Sequence, residues 1–307
     1  MRSKDFPAIK AQSAADLSIR AAVVAELMSK TKCIVDITGR AGSICLRNGD
    51  IYSWISHMFS HAMGMCGFRC KYCYTDNSGA TRHLADGTST KRPLCYEGCA
   101  AIRAASLFVN LTDQLGAPRT YFMERCNDIM GNWLDAAAIK AILAHCCQHP
   151  INTYVFQSKN PGRFKQFIDC LPPKVMIGAT IETNRSTASV SRAPHPRYRY
   201  AGIKAVKELV MDRPHTETFI TVSPILDFDV DELSEWLIDA RPNIVNISAD
   251  SGHNGLIEPS YAKVCELRDV LESAKVDVRF SETLNRLAVQ DAAAAGSKQR
   301  AGRLKAA

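Results

Sequence analysis

From residue 54 onward the chain alternates short apolar runs with amphipathic stretches, and that rhythm limits the fold more than any other feature. Candidate strands fall at 54–59, 120–123, 153–157, 175–181, 218–222, 243–248 and 276–280. Between them, apolar residues recur at three- and four-residue spacing. One set is Ile139, Ile142, Leu143 and Cys146; a second is Ile203, Val206, Leu209 and Val210. Leu233, Trp236 and Leu237 form a third, and Val264, Leu267 and Leu271 a fourth. This spacing places each set on one helix face. Asp229 followed by Glu232 reads as an Asp version of a capping box. Strands that alternate with helices pair in parallel. Six such units with a terminal strand suit a partial or full barrel, and also an open doubly wound sheet. In each of these folds reactive groups collect at the C-terminal ends of the strands.

Residues 1–30 read as helical and 31–52, with Gly39, Gly42 and Gly49, as a small hairpin. Together 1–52 form an N-terminal extension to a domain at 53–285. Residues 286–307 read as a flexible basic tail, whose last twelve residues, 296–307, hold Lys298, Arg300, Arg303 and Lys305 and no acid. The alternative for that tail is an arm touching phosphates. With 46% hydrophobic and 22% charged residues, the composition is that of a soluble globular chain. No run reaches the roughly 18 apolar residues of a membrane span. The first residues mix Lys, Asp and Pro, and no signal-peptide core follows them, so we expect a cytoplasmic protein. The net charge of +7 permits an anionic partner without demanding one.

In that compartment the 12 cysteines stay reduced. Most then behave as small hydrophobes, and only clustered ones become metal candidates. The cluster is Cys66-Gly67-Phe68-Arg69-Cys70-Lys71-Tyr72-Cys73, a C-x3-C-x2-C spacing after the first strand. Thiolates select Zn, Cu(I) or iron–sulfur clusters. A cubane normally takes four thiolates, so three leave one iron open to an outside ligand. Zinc is the alternative, with His57, His61 or Cys95 as the fourth ligand. Cys95 and Cys99, four residues apart, read as packing residues rather than a second metal site.

The segment with its aromatic Tyr72 resembles the radical S-adenosylmethionine (SAM) signature. That resemblance implies a [4Fe–4S] cluster on Cys66, Cys70 and Cys73, with SAM chelating the open iron. Reductive cleavage then yields a 5′-deoxyadenosyl radical that abstracts hydrogen from a substrate. The implied fold is α/β, a partial (β/α)6 TIM-like barrel with a helical N-terminal extension. It also implies a reducing partner such as flavodoxin or ferredoxin. Residues 54–285 further resemble phage and bacterial radical SAM proteins distantly similar to spore photoproduct lyase. The matching strand ends are 121–131, 156–161, 178–184, 221–226 and 247–252. The resemblance implies SAM contacts from Tyr72, Asn127, Asp128, Lys159, Glu182, Ser223 and Asp250. The more widespread Gly-Gly-Glu element is absent at 127–128, and Asp250 stands where Glu is more frequent. The alternative for each polar residue is a cap on the helix that follows.

His195-Pro196-Arg197-Tyr198-Arg199-Tyr200 interleaves cations with aromatics, a pattern that binds phosphates and stacks bases, or that simply enters a helix. With the basic excess, the resemblance points to a nucleic-acid base or nucleotide as substrate. One version is isomerisation of an amino-acid group on a hypermodified thymine in phage DNA. Two other classes stay open: a Zn-stabilised nucleic-acid-binding module and an iron–sulfur electron carrier.

Overall fold

The computed structural model describes residues 14–35, 41–46, 52–73, 75, 82–83, 89–90 and 100–293. The helix α1 (Ala14–Lys30) is followed by short strands β1 (Ile34–Val35) and β2 (Cys45–Leu46). Next come β3 (His57–Phe59), β4 (Ala62–Met63), β5 (Arg82–His83), β6 (Ser89–Thr90) and β7 (Ala101–Arg103). The alternating part then runs β8 (Thr120–Met123), α2 (Ala136–Cys147), β9 (Thr153–Ser158), β10 (Val175–Thr180) and α3 (Pro196–Val210). It closes with β11 (Thr216–Val222), α4 (Val230–Asp239), β12 (Ile244–Ile247), α5 (Tyr261–Ser273) and β13 (Val278–Phe280).

All seven expected strands form. The main sheet has the order β13-β12-β11-β10-β9-β8-β3-β2. Every pair from β3 to β13 is parallel, and β2 joins antiparallel at the edge. The interior strands β10 and β12 are buried at every residue, as strands covered on both faces must be.

Two hydrophobic clusters decide between a barrel and a doubly wound sheet. The helix residues Ile139, Ile203, Leu233 and Val264 share one core with Tyr121, Phe156, Ile177, Ile220 and Val245. The opposite sheet face carries Val155, Met176, Phe219 and Ile244, joined by Ile55, Tyr52, Trp54 and Phe122 and by no helix residue. The four long helices therefore cover one face, and the other is concave. Tyr52 shows the curvature directly. Its hydroxyl donates to Gln157 Oε1 on β9 at 2.6 Å and meets Thr221 Oγ1 on β11, two strands away. Among the described residues β13 and β2 remain as edges, so the sheet is a partial barrel.

Local sequence explains the helices. Asp135 caps α2 by accepting from Ala138 N at 2.9 Å, and Ser260 caps α5 from Lys263 N at 3.3 Å. Pro196 opens α3, where its missing N–H costs nothing. Gly202 lets α3 approach the 3-10 helix Pro161–Cys170, because a Cβ there would lie 2.6 Å from Gly162 N. Leu209 departs from the expected apolar face: it is exposed, while Val206 and Val210 are buried. The Asp229 box also differs. Asp229 occupies the N-cap of α4 without a capping side-chain bond, because its carboxylate is held by Arg185 and Asn184. Glu232 bonds Asn184 Nδ2 at 2.5 Å instead of the cap.

Among the described residues of 31–52 no hairpin forms. β1 pairs with β7, and β2 pairs with β3, so each short strand finds a distant partner. Val24 of α1 and Ile34 enter the main core. At the other end, residues 285–293 are helical, with Leu287 buried, so a flexible segment does not begin at 286. Residues 294–307, which hold the basic cluster, lie outside the described residues, as do Cys95 and Cys99.

Candidate functional site

The strands present side chains to the concave face in two layers. Residues two apart on a strand face the same side, about 6–7 Å apart along it. The rim layer holds Glu124, Lys159, Glu182, Ser223, Ser248 and Ser281, each just past its strand. The lower layer holds Phe122, Gln157, Thr180, Thr221, Asn246 and Arg279. Pairing puts Thr180, Thr221, Asn246 and Arg279 in one row across β10 to β13. All of these residues except Glu182 border a single cavity of about 780 Å³.

Cys66, Cys70 and Cys73 border the same cavity as half-buried free thiols. Their loop is strapped to the segment after β10. Lys71 N donates to Val190 O at 2.8 Å and Arg192 N to Phe68 O at 2.7 Å. Cys70 Sγ lies 3.1 Å from Ser191 Oγ. Gly67 leaves room for Trp133, since a Cβ would sit 2.5 Å from the indole; a Cβ on Gly131 would sit 2.1 Å from it. Burial, with Asp128 nearby, pushes the Cys66 thiol up to about 12. Among the described residues no three His, Cys, Asp or Glu side chains converge as one metal ion requires. A cubane asks something different, that each sulfur reach its own iron. An all-thiolate donor set spread over one cavity wall fits such a cluster.

Tyr72 points away from the cysteines into a buried ion network. Its hydroxyl donates to Glu182 Oε1, and Arg199 Nη1 donates to Glu182 Oε2 at 2.5 Å. Both Glu182 and Arg199 are fully buried. Lys159 Nζ lies 4.0 Å from Glu182 and 5.3 Å from the Tyr72 ring centre. Burial opposes the Lys159 charge, but Cys70 and Glu182 outweigh it and hold its pKa above the ordinary lysine value. Burial and the Glu182 charge push Tyr72 well up, so it stays a neutral donor.

Asp128 accepts from Ser158 Oγ at 2.7 Å and Lys159 N at 2.8 Å, while burial pushes its carboxyl up. The Asn127 amide is spent on the protein. Nδ2 donates to Gly64 O, and Oδ1 accepts from Trp133 Nε1 and Asp128 N, all at 2.9 Å. Asn127 thus ties the cysteine loop to the end of β8. Ser223 accepts from Ser248 across the rim. Asp250 closes a turn by accepting from Asn254 N at 2.5 Å and Asn254 Nδ2 at 2.6 Å. Six of the seven expected residues around the cysteines therefore border one cavity, and Glu182 stands behind Tyr72.

Sequence reasoning missed several residues. Arg199 sits in the cation–aromatic stretch, but it turns inward from the first turn of α3 while Arg197 and Tyr198 are exposed. That stretch enters a helix, with Arg199 facing the core. Cys126 brings a further cysteine to the cavity wall. His61 is no fourth ligand, because it joins a buried chain. His61 Nδ1 lies 2.6 Å from Glu124 Oε1, His61 Nε2 lies 2.7 Å from His145 Nδ1, and His145 Nε2 lies 2.9 Å from Val109 O. His57 is distant too, bonded to Ser56 at the opposite end of β3.

Donor counting fixes the proton of His145. The Val109 carbonyl only accepts, so His145 carries its proton on Nε2. Burial, followed by His61, holds the His145 pKa down at about 3, so the ring is neutral and its Nδ1 accepts from His61 Nε2. Glu124 also accepts from Ala62 N at 2.8 Å and His61 N at 3.1 Å. The buried chain thus holds Glu124, at φ +60°, beside the cavity.

No protein-family model matches the chain, and no curated protein does. Among solved structures, a cysteine-to-serine mutant of spore photoproduct lyase aligns with a TM-score of 0.50 at 11% identity, over 77% of this chain and 79% of that one. This chain shares the spore photoproduct lyase fold. A second lyase structure, with bound AdoMet and dinucleoside spore photoproduct, gives 0.42 at 13% identity and covers 75% of this chain and 65% of that one. Streptococcus suis SuiB bound to S-adenosylmethionine gives 0.42 at 11% identity, over 73% of this chain and 51% of that one. The likeness to these structures holds at the level of the fold.

Proposed function

We propose that this chain is a radical SAM enzyme acting on a nucleic-acid base or nucleotide. The observation that carries the reading is the meeting of Cys66, Cys70 and Cys73 with Asp128 and Lys159 on one cavity at the C-terminal mouth of a concave parallel sheet. A [4Fe–4S] cluster with one open iron, together with SAM, supplies reductive cleavage to a 5′-deoxyadenosyl radical when bound. The three cysteines are the cluster ligands. Ser191 and Lys159 offset thiolate charge beside Cys70. Tyr72, Asn127, Asp128, Lys159, Glu182, Ser223 and Asp250 make the SAM side of the site. Among them Glu182 acts through Tyr72, and Asn127 acts by fixing the loop.

For the substrate, the +7 charge favours an anionic polymer or nucleotide. Isomerisation of a modified thymine in phage DNA is the specific form we put forward. A flavodoxin or ferredoxin would deliver the electron in the cytoplasm. Anaerobic reconstitution tests the reading. We expect a brown protein that forms 5′-deoxyadenosine from SAM after reduction. A colourless protein holding Zn would make the chain a Zn-stabilised nucleic-acid-binding module. A brown protein that leaves SAM intact would make it an electron carrier.

A further inference from the structure

Two side chains on the cavity wall carry buried N–H groups with nothing to donate to. They are Asn246 Nδ2 and Trp54 Nε1. Asn246 is only 8% exposed and belongs to the lower layer, two residues before Ser248 of the rim. A buried donor left unpaired costs about 1–3 kcal/mol. Two such donors in one chamber mark acceptors that arrive with a ligand.

The neighbouring polar groups are already committed. Tyr52 bonds Gln157 and Thr221, and Gln157 Nε2 donates to Thr180 Oγ1 at 2.8 Å. The surroundings are flat and apolar. Tyr52 stacks on Trp54 with centroids 4.9 Å apart and planes 2° apart, and Phe219 meets both rings edge-on at 5.6 Å. The Phe219 ring fills the space over Gly178, where a Cβ would fall 2.2 Å from it. The one charge in this layer, Arg279, stands at the open β13 edge, with Nε and Nη2 on Asp277. The interior of this layer offers no cation to a phosphate. Its two neutral donors and apolar walls suit a flat, uncharged ring bearing carbonyl oxygens.

We propose that Asn246 and Trp54 are specificity residues that donate to ring carbonyls of the substrate base. They would thereby select a dioxo pyrimidine over a base that presents an amino group. This rests on the reading above that the chain acts on a base.

The test uses the reconstituted holoenzyme without reductant, titrated calorimetrically with thymidine, deoxycytidine and SAM. Wild type binds thymidine at least tenfold more tightly than deoxycytidine. Asn246→Asp replaces the free donor by an acceptor, so it weakens thymidine at least tenfold and narrows or reverses the preference. Trp54→Phe keeps a ring and loses the N–H, and it weakens thymidine severalfold. SAM affinity stays within twofold in both variants, which also reports that each variant is folded. Equal binding of the two nucleosides by wild type, or no binding of either, overturns the proposal. So does unchanged thymidine affinity in both variants, or a loss of SAM in place of thymidine. Formation of 5′-deoxyadenosine is scored separately. Selectivity for thymidine without that product would sink the radical chemistry and leave the recognition supported.

Discussion

Arg199→Met is the sharpest perturbation of the buried network. Arg199 is fully buried and spends its fork on four acceptors: Glu182 Oε2 at 2.5 Å, Pro194 O at 2.6 Å, Thr187 Oγ1 at 3.0 Å and Thr180 O at 3.2 Å. Methionine fills much of the volume and satisfies none of them. Glu182 is left in the interior with the Tyr72 hydroxyl and a lysine 4.0 Å away. Removing one member of a buried ion pair costs about 3–5 kcal/mol. The two remaining partners of Glu182 place the expectation at the lower end, about 3 kcal/mol, which is a large share of the roughly 5–15 kcal/mol that holds a typical fold together. Urea unfolding, followed by fluorescence and circular dichroism, should show the midpoint fall with the slope unchanged. Adding Glu182→Leu removes the stranded charge, so the double variant should recover about 1 kcal/mol or more over Arg199→Met. An Arg199→Met protein within about 1 kcal/mol of wild type would refute the reasoning, as would a double variant equal to the sum of the singles.

Three further outcomes follow from the site. Cys66→Ala, Cys70→Ala and Cys73→Ala should each abolish 5′-deoxyadenosine formation, and cleavage retained in any one would overturn the ligand assignment. His145, with its pKa held near 3 in the fold and near the ordinary 6.5 when unfolded, contributes stability that is complete above pH 6.5. That stability drains away as pH falls towards 3, at up to about 1.4 kcal/mol per pH unit. A His145→Gln protein should therefore lose stability less steeply between pH 6.5 and 4 than wild type, and parallel curves would count against the neutral buried ring. Gly131→Ala would push a Cβ to within 2.1 Å of the Trp133 indole. It should cost about 1–3 kcal/mol in thermal or urea unfolding, eased when Trp133 is also changed to Leu. A neutral Gly131→Ala would show that the indole is free to move.

The strands and helices were legible because their periods differ and their apolar residues are many. Thr120–Met123 and Val175–Thr180 are read from the sequence almost to the residue. What failed involves partners far apart in sequence. Residues 34–35 and 45–46 look like a local hairpin, yet they pair with 102–103 and 57–58. Asp229 has the spacing of a capping residue, but Arg185, 44 positions earlier, supplies a stronger partner than an amide. Arg199 reads as a surface cation because its neighbours Arg197 and Tyr198 are exposed. Only the helical phase of α3, which turns every third or fourth residue inward, sets it apart, and that phase was available in Ile203 and Val206. The cysteine spacing was legible for the opposite reason, since three ligands within one loop need no distant partner to be recognised.

The two-layer arrangement has a consequence for how such a site changes. Each barrel strand supplies a rim residue and, two positions earlier, a lower-layer residue: Glu182 above Thr180, Ser223 above Thr221, Ser248 above Asn246. The rim answers to the cysteine loop through Tyr72, Glu182 and Arg199, so a change there disturbs a buried charge and should be strongly constrained. The lower layer makes no charged contact with that loop. Thr221 could be exchanged for another polar residue at a cost of one neutral hydrogen bond, about 1 kcal/mol. A chain built this way can alter its lower layer while leaving the contacts of the cysteine loop intact, because the two layers sit on the same strands but are held by different interactions: buried ion pairs above, single neutral hydrogen bonds below.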